Sequence, residues 1–477
     1  MEFDQVSKKL VSGFLTLTFR RASLYAIRFL TINIILARFL SPSTIGIFNL
    51  ANSILSFFTF FSDIGLGAAI IQKKEITTDD LRTTFTIQQI LSILLVIIIW
   101  VLAPTLGSFY NLDQAGVWLI RVLAFGFMLT SLKVLPAILL ERELRFGPLV
   151  IVEIVETLIF CSFLIFLSFN NFGVNAFTIA TLAQSLIGVI LIYLIAPWKI
   201  SIGISKQAAK VLLNFGVPFQ LNSLLALLKD RLVPLVVARM IGTTGVGYVT
   251  WAQSLSFMPL EVMNIMNRLT FPAFSRLQHD PPALKQTLER SIFFISLLMY
   301  PLLFGLLAIA PSLVTHVVSP KWQPALPLIY LFSITVFFAG LSTSFTNFLN
   351  AIGKISITLK LMVFWTVLEW LLTPLLTYYY GYFGVALASS LIAFSSLIPI
   401  YIVKKMVKLA LFSNIWPPML AAIIMSLITY FLSFNFAYNL FSLILIIILG
   451  GIIYSLLILL FAKNKVQENL RIFKNVK

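Results

Sequence analysis

Cysteine occurs once in this chain, histidine twice, and acidic residues number 17 against 34 lysines and arginines. Each shortage excludes something. The lone Cys161 lies inside an apolar run, so no internal disulfide can form and the residue reads as a small buried hydrophobe. His279 and His316 are 37 positions apart and build no His/Cys metal constellation. No Gly-Lys-Ser or Gly-Lys-Thr phosphate loop is present, which excludes ATP hydrolysis by this chain. Charged residues make up only 11% of the chain, against 60% hydrophobic residues and a mean hydropathy of +1.00, and such a composition is not that of a soluble protein. A net charge of +17 would point to nucleic acid in a soluble chain. Here the basic residues sit in short loops between apolar runs. Membrane orientation and contact with anionic headgroups account for them, and no nucleic-acid partner is expected. The first apolar run contains arginines and lacks a small-x-small cleavage pattern, so it is expected to stay as the first span.

What is abundant is hydrophobic length. Fourteen apolar segments are each long enough to cross a hydrocarbon core of roughly 30 Å. They fall near 18–39, 45–71, 84–108, 116–139, 148–168, 174–196, 212–239, 246–267, 291–314, 325–349, 356–380, 383–403, 415–435 and 438–462. Threaded alternately, their connections sort by charge. Of the 34 basic residues only Arg38, Arg121, Arg239 and Lys321 fall on one side, while Arg28, Lys133, Lys229 and Arg231 lie within the runs. All the others, including those of both chain ends, fall on the opposite side. The positive-inside rule makes that side cytoplasmic. The expectation is an all-α integral membrane protein of about fourteen transmembrane helices, with both termini cytoplasmic.

The chain also repeats itself. Residues 37–55, ARFLSPSTIGIFNLANSIL, match 238–255, ARMIGTTGVGYVTWAQSL, at an offset of 201 that sets Arg38 over Arg239 and Gly46 over Gly247. The same offset places Arg28 over Lys229 and Asp63 over Asn264. A second match, Phe172-Gly173-Val174 over Phe383-Gly384-Val385, has an offset of 211. Two six-helix lobes of like orientation follow, because an even number of spans separates equivalent points. Their expected limits are 1–199 and 200–405, with two extra C-terminal helices and a basic tail in 406–477.

Ionisable groups at membrane depth are costly and usually face a cavity. Arg28 lies about 15 Å below the outer end of its helix, and Lys229, beside Asp230 and Arg231, occupies the equivalent place in the second lobe. These cations read either as a shared anion site, suited to phosphate or pyrophosphate, or as partners of buried carboxylates. Lys133 with Glu153 or Glu156 reads as a structural ion pair. Asp63 caps a broken helix or holds a coupling ion, and Glu369 is a candidate proton or sodium site. Arg38 and Arg239 mark the outer mouth, where snorkelling also explains them. No resident cofactor or metal is implied, and coupling to Na⁺ or H⁺ stays open. The loops on the basic-poor side are short and hold one acidic residue, Asp113, which disfavours a membrane glycosyltransferase or polymerase. Transport, not catalysis, is the expectation.

Certain stretches resemble a known family. Ala37-Arg38-Phe39-Leu40-Ser41-Pro42-Ser43-Thr44-Ile45-Gly46-Ile47-Phe48, Ser62-Asp63-Ile64-Gly65-Leu66-Gly67, Phe271-Pro272-Ala273-Phe274-Ser275-Arg276-Leu277-Gln278 and Lys321-Trp322 with Ala325 and Pro327 are similar to the polysaccharide transporter branch of the multidrug/oligosaccharidyl-lipid/polysaccharide (MOP) superfamily. These are the Wzx-type flippases, and the likeness is to the subgroup handling exopolysaccharide, colanic acid and teichuronic acid type polymers. The resemblance implies two six-helix lobes in a MATE-like V around a cationic cavity. It implies alternating access, and an undecaprenyl-pyrophosphate-linked oligosaccharide as cargo for cell-surface polysaccharide export. Membrane lipids and the polysaccharide polymerase or export machinery are the implied partners. The alternative is a MATE-type, cation-coupled drug exporter, which would line its cavity with carboxylates and aromatics.

Overall fold

The computed structural model describes residues 27–62, 64–73, 75–221 and 232–474. Described residues form two compact units, Met1–Gly247 and Tyr248–Lys477. Twelve helices among them are long and apolar enough to cross a membrane. The expected count of fourteen is therefore not reproduced. The first expected segment, 18–39, and the seventh, 212–239, each run through residues outside the description. Among the described residues of 212–267 one helix, Val233–Ser256, is long and apolar enough to cross.

In the first unit a π-helical stretch, Thr31–Leu36, runs into α1 (Ala37–Phe39). Leu40 turns extended, and Pro42 opens α2 (Pro42–Ser62) where its missing N–H costs nothing. Gly65, at φ 68°, ends that run, so the expected continuous span 45–71 is broken before α3 (Leu66–Gln72). Then come α4 (Thr78–Phe109), α5 (Gln114–Leu132), α6 (Val134–Arg142), α7 (Phe146–Phe169), α8 (Val174–Ile195) and the amphipathic α9 (Lys206–Leu221). Polar side chains set the helix starts. Thr77 and Asp80 close a capping box on α4, and Asp80 also pairs with Lys73 at 2.6 Å. Asp113 caps α5 through the Gly116 N–H at 2.8 Å. Phe48 stacks on the fully buried Phe177 at 4.1 Å, joining α2 to α8.

α10 (Val233–Ser256) is two helices separated at Gly242, whose φ of 66° and ψ of 176° are non-helical. Gly242 stands at the offset of 201 from Ser41, which marks the same turn in the first copy. Here equivalent residues meet reciprocally. A Cβ on Gly46 would overlap the carbonyl oxygen of Thr243, and a Cβ on Gly247 would overlap that of Pro42. Because 42 and 243 are equivalents, as are 46 and 247, the contact has the pattern of a two-fold axis. Ser43 and Thr243 share a hydroxyl hydrogen bond of 2.7 Å at the same crossing.

The second unit continues with α11 (Leu260–Arg276), α12 (Pro281–Ser312), α13 (Leu326–Ala351), α14 (Ile355–Tyr380), α15 (Tyr382–Phe394), α16 (Leu397–Met406), α17 (Leu411–Phe436) and α18 (Leu440–Lys474). Its two largest fully buried side chains, Trp251 and Trp322, lie with ring centroids 4.7 Å apart. The last two helices share this unit's core: Ala421, Ala422, Met425, Tyr454 and Ile458 pack with Ile295, Met299 and Tyr300 of α12. In lipid such contacts hold through close van der Waals packing and small residues, because lipid tails are as apolar as the side chains.

Candidate functional site

The described part of the candidate site lies in the first unit, around a break between α5 and α6. Lys133 occupies the break, with helical φ/ψ but no continuing α ladder. Tyr193 of α8 donates to the freed Leu132 carbonyl at 3.0 Å. The Lys133 ammonium pairs closely with Glu156 of α7, which is 4% exposed. Of the two carboxylates the sequence offered Lys133, the structure selects Glu156. Gly188 of α8 faces this carboxylate, and a Cβ there would overlap Glu156 Oε1. The glycine is the space that lets a charged side chain lie between two packed helices.

Arg28 reaches the same region from the first helix. Its guanidinium lies over the Phe160 ring at 5.9 Å, one turn beyond Glu156. Glu156 feels the charges of Lys133, Glu153 and Arg28 together, and Cys161 contacts Thr31 and also feels Arg28. The cluster thus brings together Arg28, Lys133, Glu153 and Glu156. Arg28 is exposed and forms no ion pair with a described residue. Within the cluster Lys133 is therefore committed to a carboxylate, while Arg28 pairs with none among the described residues.

Other sequence candidates fall elsewhere. Asp63, Lys229, Asp230 and Arg231 lie outside the described residues. Glu369 is partly buried on α14 in the second unit. Arg38 and Arg239 are both exposed at the equivalent helix ends, and Arg239 lies over the Phe109 ring at 5.3 Å. Among the described residues no group of three or more His, Cys, Asp or Glu is placed to hold a metal ion. Gly188, Phe160 and Tyr193 were not singled out from the sequence. A glycine inside an apolar helix at the depth of a carboxylate on the preceding helix was the available signal.

A set of long apolar helices with buried charge among them defines a multi-pass membrane protein. Residues 35–327 match the model of the polysaccharide biosynthesis protein family, and the chain belongs to that family. It is similar to the teichuronic acid biosynthesis protein TuaB of Bacillus subtilis, 26% identical over 277 residues covering 57% of each chain. It is also similar to the lipopolysaccharide biosynthesis protein WzxC of Escherichia coli, 24% identical over 339 residues, 70% of this chain and 68% of that one. The match to TuaB thus spans little more than half of that relative's length. Among solved structures, the lipid II flippase MurJ in an inward closed conformation has the same fold, with a TM-score of 0.72 over 96% of this chain and all of the other at 14% identity.

Proposed function

We propose that the protein moves an oligosaccharide repeat unit, linked to undecaprenyl pyrophosphate, from the cytoplasmic to the outer leaflet of the bacterial plasma membrane. Both termini and the lysine-rich loops lie in the cytoplasm. The observation that carries the reading is Arg28: a guanidinium inside the first expected apolar span, with no ion pair to a described residue, in a family of polysaccharide biosynthesis proteins. Pyrophosphate loses much of its water on entering a low-dielectric path, and a fixed cation offsets that cost. Arg28 binds the pyrophosphate from one lobe, and Lys229 with Arg231 binds it from the other. The polyprenyl tail stays in the bilayer while the sugars occupy a hydrated cavity. The protein acts as a transporter and not as an enzyme, and the polysaccharide polymerase or export machinery takes its product on the far side.

The crossing at Gly46 and Gly247 is the outer closure of this cycle. Backbone meets backbone there with no side chain between, so the contact forms or parts as a unit. Cargo shifts the balance of closed and open states by its different affinity for each. The Lys133–Glu156 pair is the proposed coupling element: a proton or Na⁺ that takes the place of Lys133 at the carboxylate frees the α5–α6 break to move. Glu369 is its candidate counterpart in the second lobe.

The test is a deletion strain carrying the gene or its variants on a plasmid. Without the protein, surface polymer is expected to vanish and undecaprenyl-linked repeat units to build up on the cytoplasmic face, with drug susceptibility unchanged. A cation exporter, the reading that the Glu153 and Glu156 carboxylates would favour, gives the opposite pattern: normal polymer and increased sensitivity to cationic drugs. That result would refute the flippase.

A further inference from the structure

A second arginine finds no hydrogen-bond acceptor among the described residues, and the proposed transport does not use it. Arg121 lies seven residues into α5, roughly 10 Å below that helix's start at a rise of 1.5 Å per residue. Trp100 of α4 and Trp118 of α5 flank it, with the guanidinium carbon 5.8 and 5.3 Å from their ring centroids. The Trp100 indole N–H donates to the Arg121 carbonyl at 3.1 Å, which fixes that ring in place. The Arg121 Nε is buried without a partner, and no described residue accepts from the rest of the guanidinium. Asp113, the nearest acidic residue in the sequence, is occupied as the cap of α5.

The surface around this group is apolar and exposed. Trp100 and Trp118 are 41% and 45% exposed, and the adjoining flank of α4 presents Leu94, Ile97 and Val101. A guanidinium at this depth with no acceptor among the described residues takes one from its surroundings. Tryptophan at such a level is an amphipathic anchor, apolar in its body and a donor at its indole nitrogen. The Trp118 N–H also donates to no described residue. The group that matches these donors is a phosphate attached to a lipid: it accepts two guanidinium N–H bonds at once, and its acyl or prenyl chains suit the apolar flank.

We propose that Arg121, Trp100 and Trp118 form a binding site for a lipid phosphate, at the ends of α4 and α5 remote from the lysine-rich loops. Two sources share this chemistry: an anionic phospholipid that seats the first unit in its leaflet, and the polyprenyl pyrophosphate carrier waiting after transport. A lysine would serve less well, since it cannot present two parallel donors between two rings.

The full-length protein, purified in detergent, is mixed in separate samples with phosphatidylglycerol, undecaprenyl pyrophosphate or diacylglycerol, and retained lipid is read by native mass spectrometry. Because this reads binding alone, it stands whether or not the transport reading does. Arg121→Gln is expected to weaken retention of a phosphate lipid roughly tenfold, the loss of one charged bidentate contact. Arg121→Lys, which keeps the charge and guards against misfolding, is expected to fall between. A loss confined to phosphatidylglycerol assigns a structural phospholipid. A loss of undecaprenyl pyrophosphate, alone or with the other, assigns a carrier position. Unchanged retention of both phosphate lipids in both variants, or an equal fall for diacylglycerol, overturns the site.

Discussion

Two arginine and lysine side chains show how context divides one kind of charge into two roles. Lys133 is held against a buried carboxylate, and removing one partner of such a pair leaves the other unpaired in a dry site. Lys133→Ala is expected to cost about 3–5 kcal/mol, while Lys133→Met with Glu156→Gln together should restore most of it. Thermal melting of the detergent-purified proteins checks both. Gly188→Ala pushes a methyl group into the space of Glu156 Oε1 and is expected to destabilise by about 1–3 kcal/mol. That loss should shrink in the Glu156→Ala background, because the clash goes with the carboxylate. Arg28 has no such partner among the described residues, and Arg28→Ala should leave melting near that of the wild type. Polymer export should be lost, and Arg28→Lys should retain part of it. Normal export from the alanine variant would remove Arg28 from the cargo path. The charges themselves were legible in the sequence, since an ionisable residue in a long apolar run stands out. Which carboxylate Lys133 takes was not, because Glu153 and Glu156 are three residues apart and both lie toward one side of α7.

At the scale of helices, the informative feature is the crossing of α2 with the stretch of α10 after Gly242. Its geometry places the Ser43 and Thr243 hydroxyl oxygens 2.7 Å apart. Replacing both residues with cysteine, in a Cys161→Ala background that removes the native thiol, should give a spontaneous disulfide seen as a shift in non-reducing gel mobility. Export should stop and return on reduction. Crosslinked protein that exports at full rate would show that the crossing need not open. The offset of 201 was readable from the residues alone, and the helix break at Gly242 keeps its register. The second repeat match was not so well placed. The positive-φ glycine that precedes each sixth helix is Gly173 in the first copy and Gly381 in the second, at φ 56° and 57°. Gly384, which the sequence match sets over Gly173, lies one turn inside α15 against the Leu376 carbonyl. A three-residue Phe-Gly-Val match between apolar helices slides by a turn without changing hydrophobicity, so pattern alone could not choose the register.

For the whole molecule, the charge partition predicts which loops face the cytoplasm. Single cysteines placed in 109–115 and 318–323 should react with an impermeant reagent in intact cells. Those in 200–208 and 278–286 should react only after permeabilisation. The reverse labelling pattern would invert the orientation and, with it, the direction of transport.

The sequence by itself determined that this chain lives in a membrane and that its spans are helical. Those properties follow from the length of apolar runs and from lysine and arginine asymmetry, each of which acts locally along the chain. Only the tertiary structure decided that α17 and α18 share the core of the second unit, that Glu156 and not Glu153 holds Lys133, and that Gly46 and Gly247 let equivalent backbones meet. In lipid every helix face is apolar enough to be buried or exposed, so hydropathy carries no record of which faces pack. That choice rests on where small residues permit close approach and where a charge finds its partner, and both are settled only when helices distant in sequence come together.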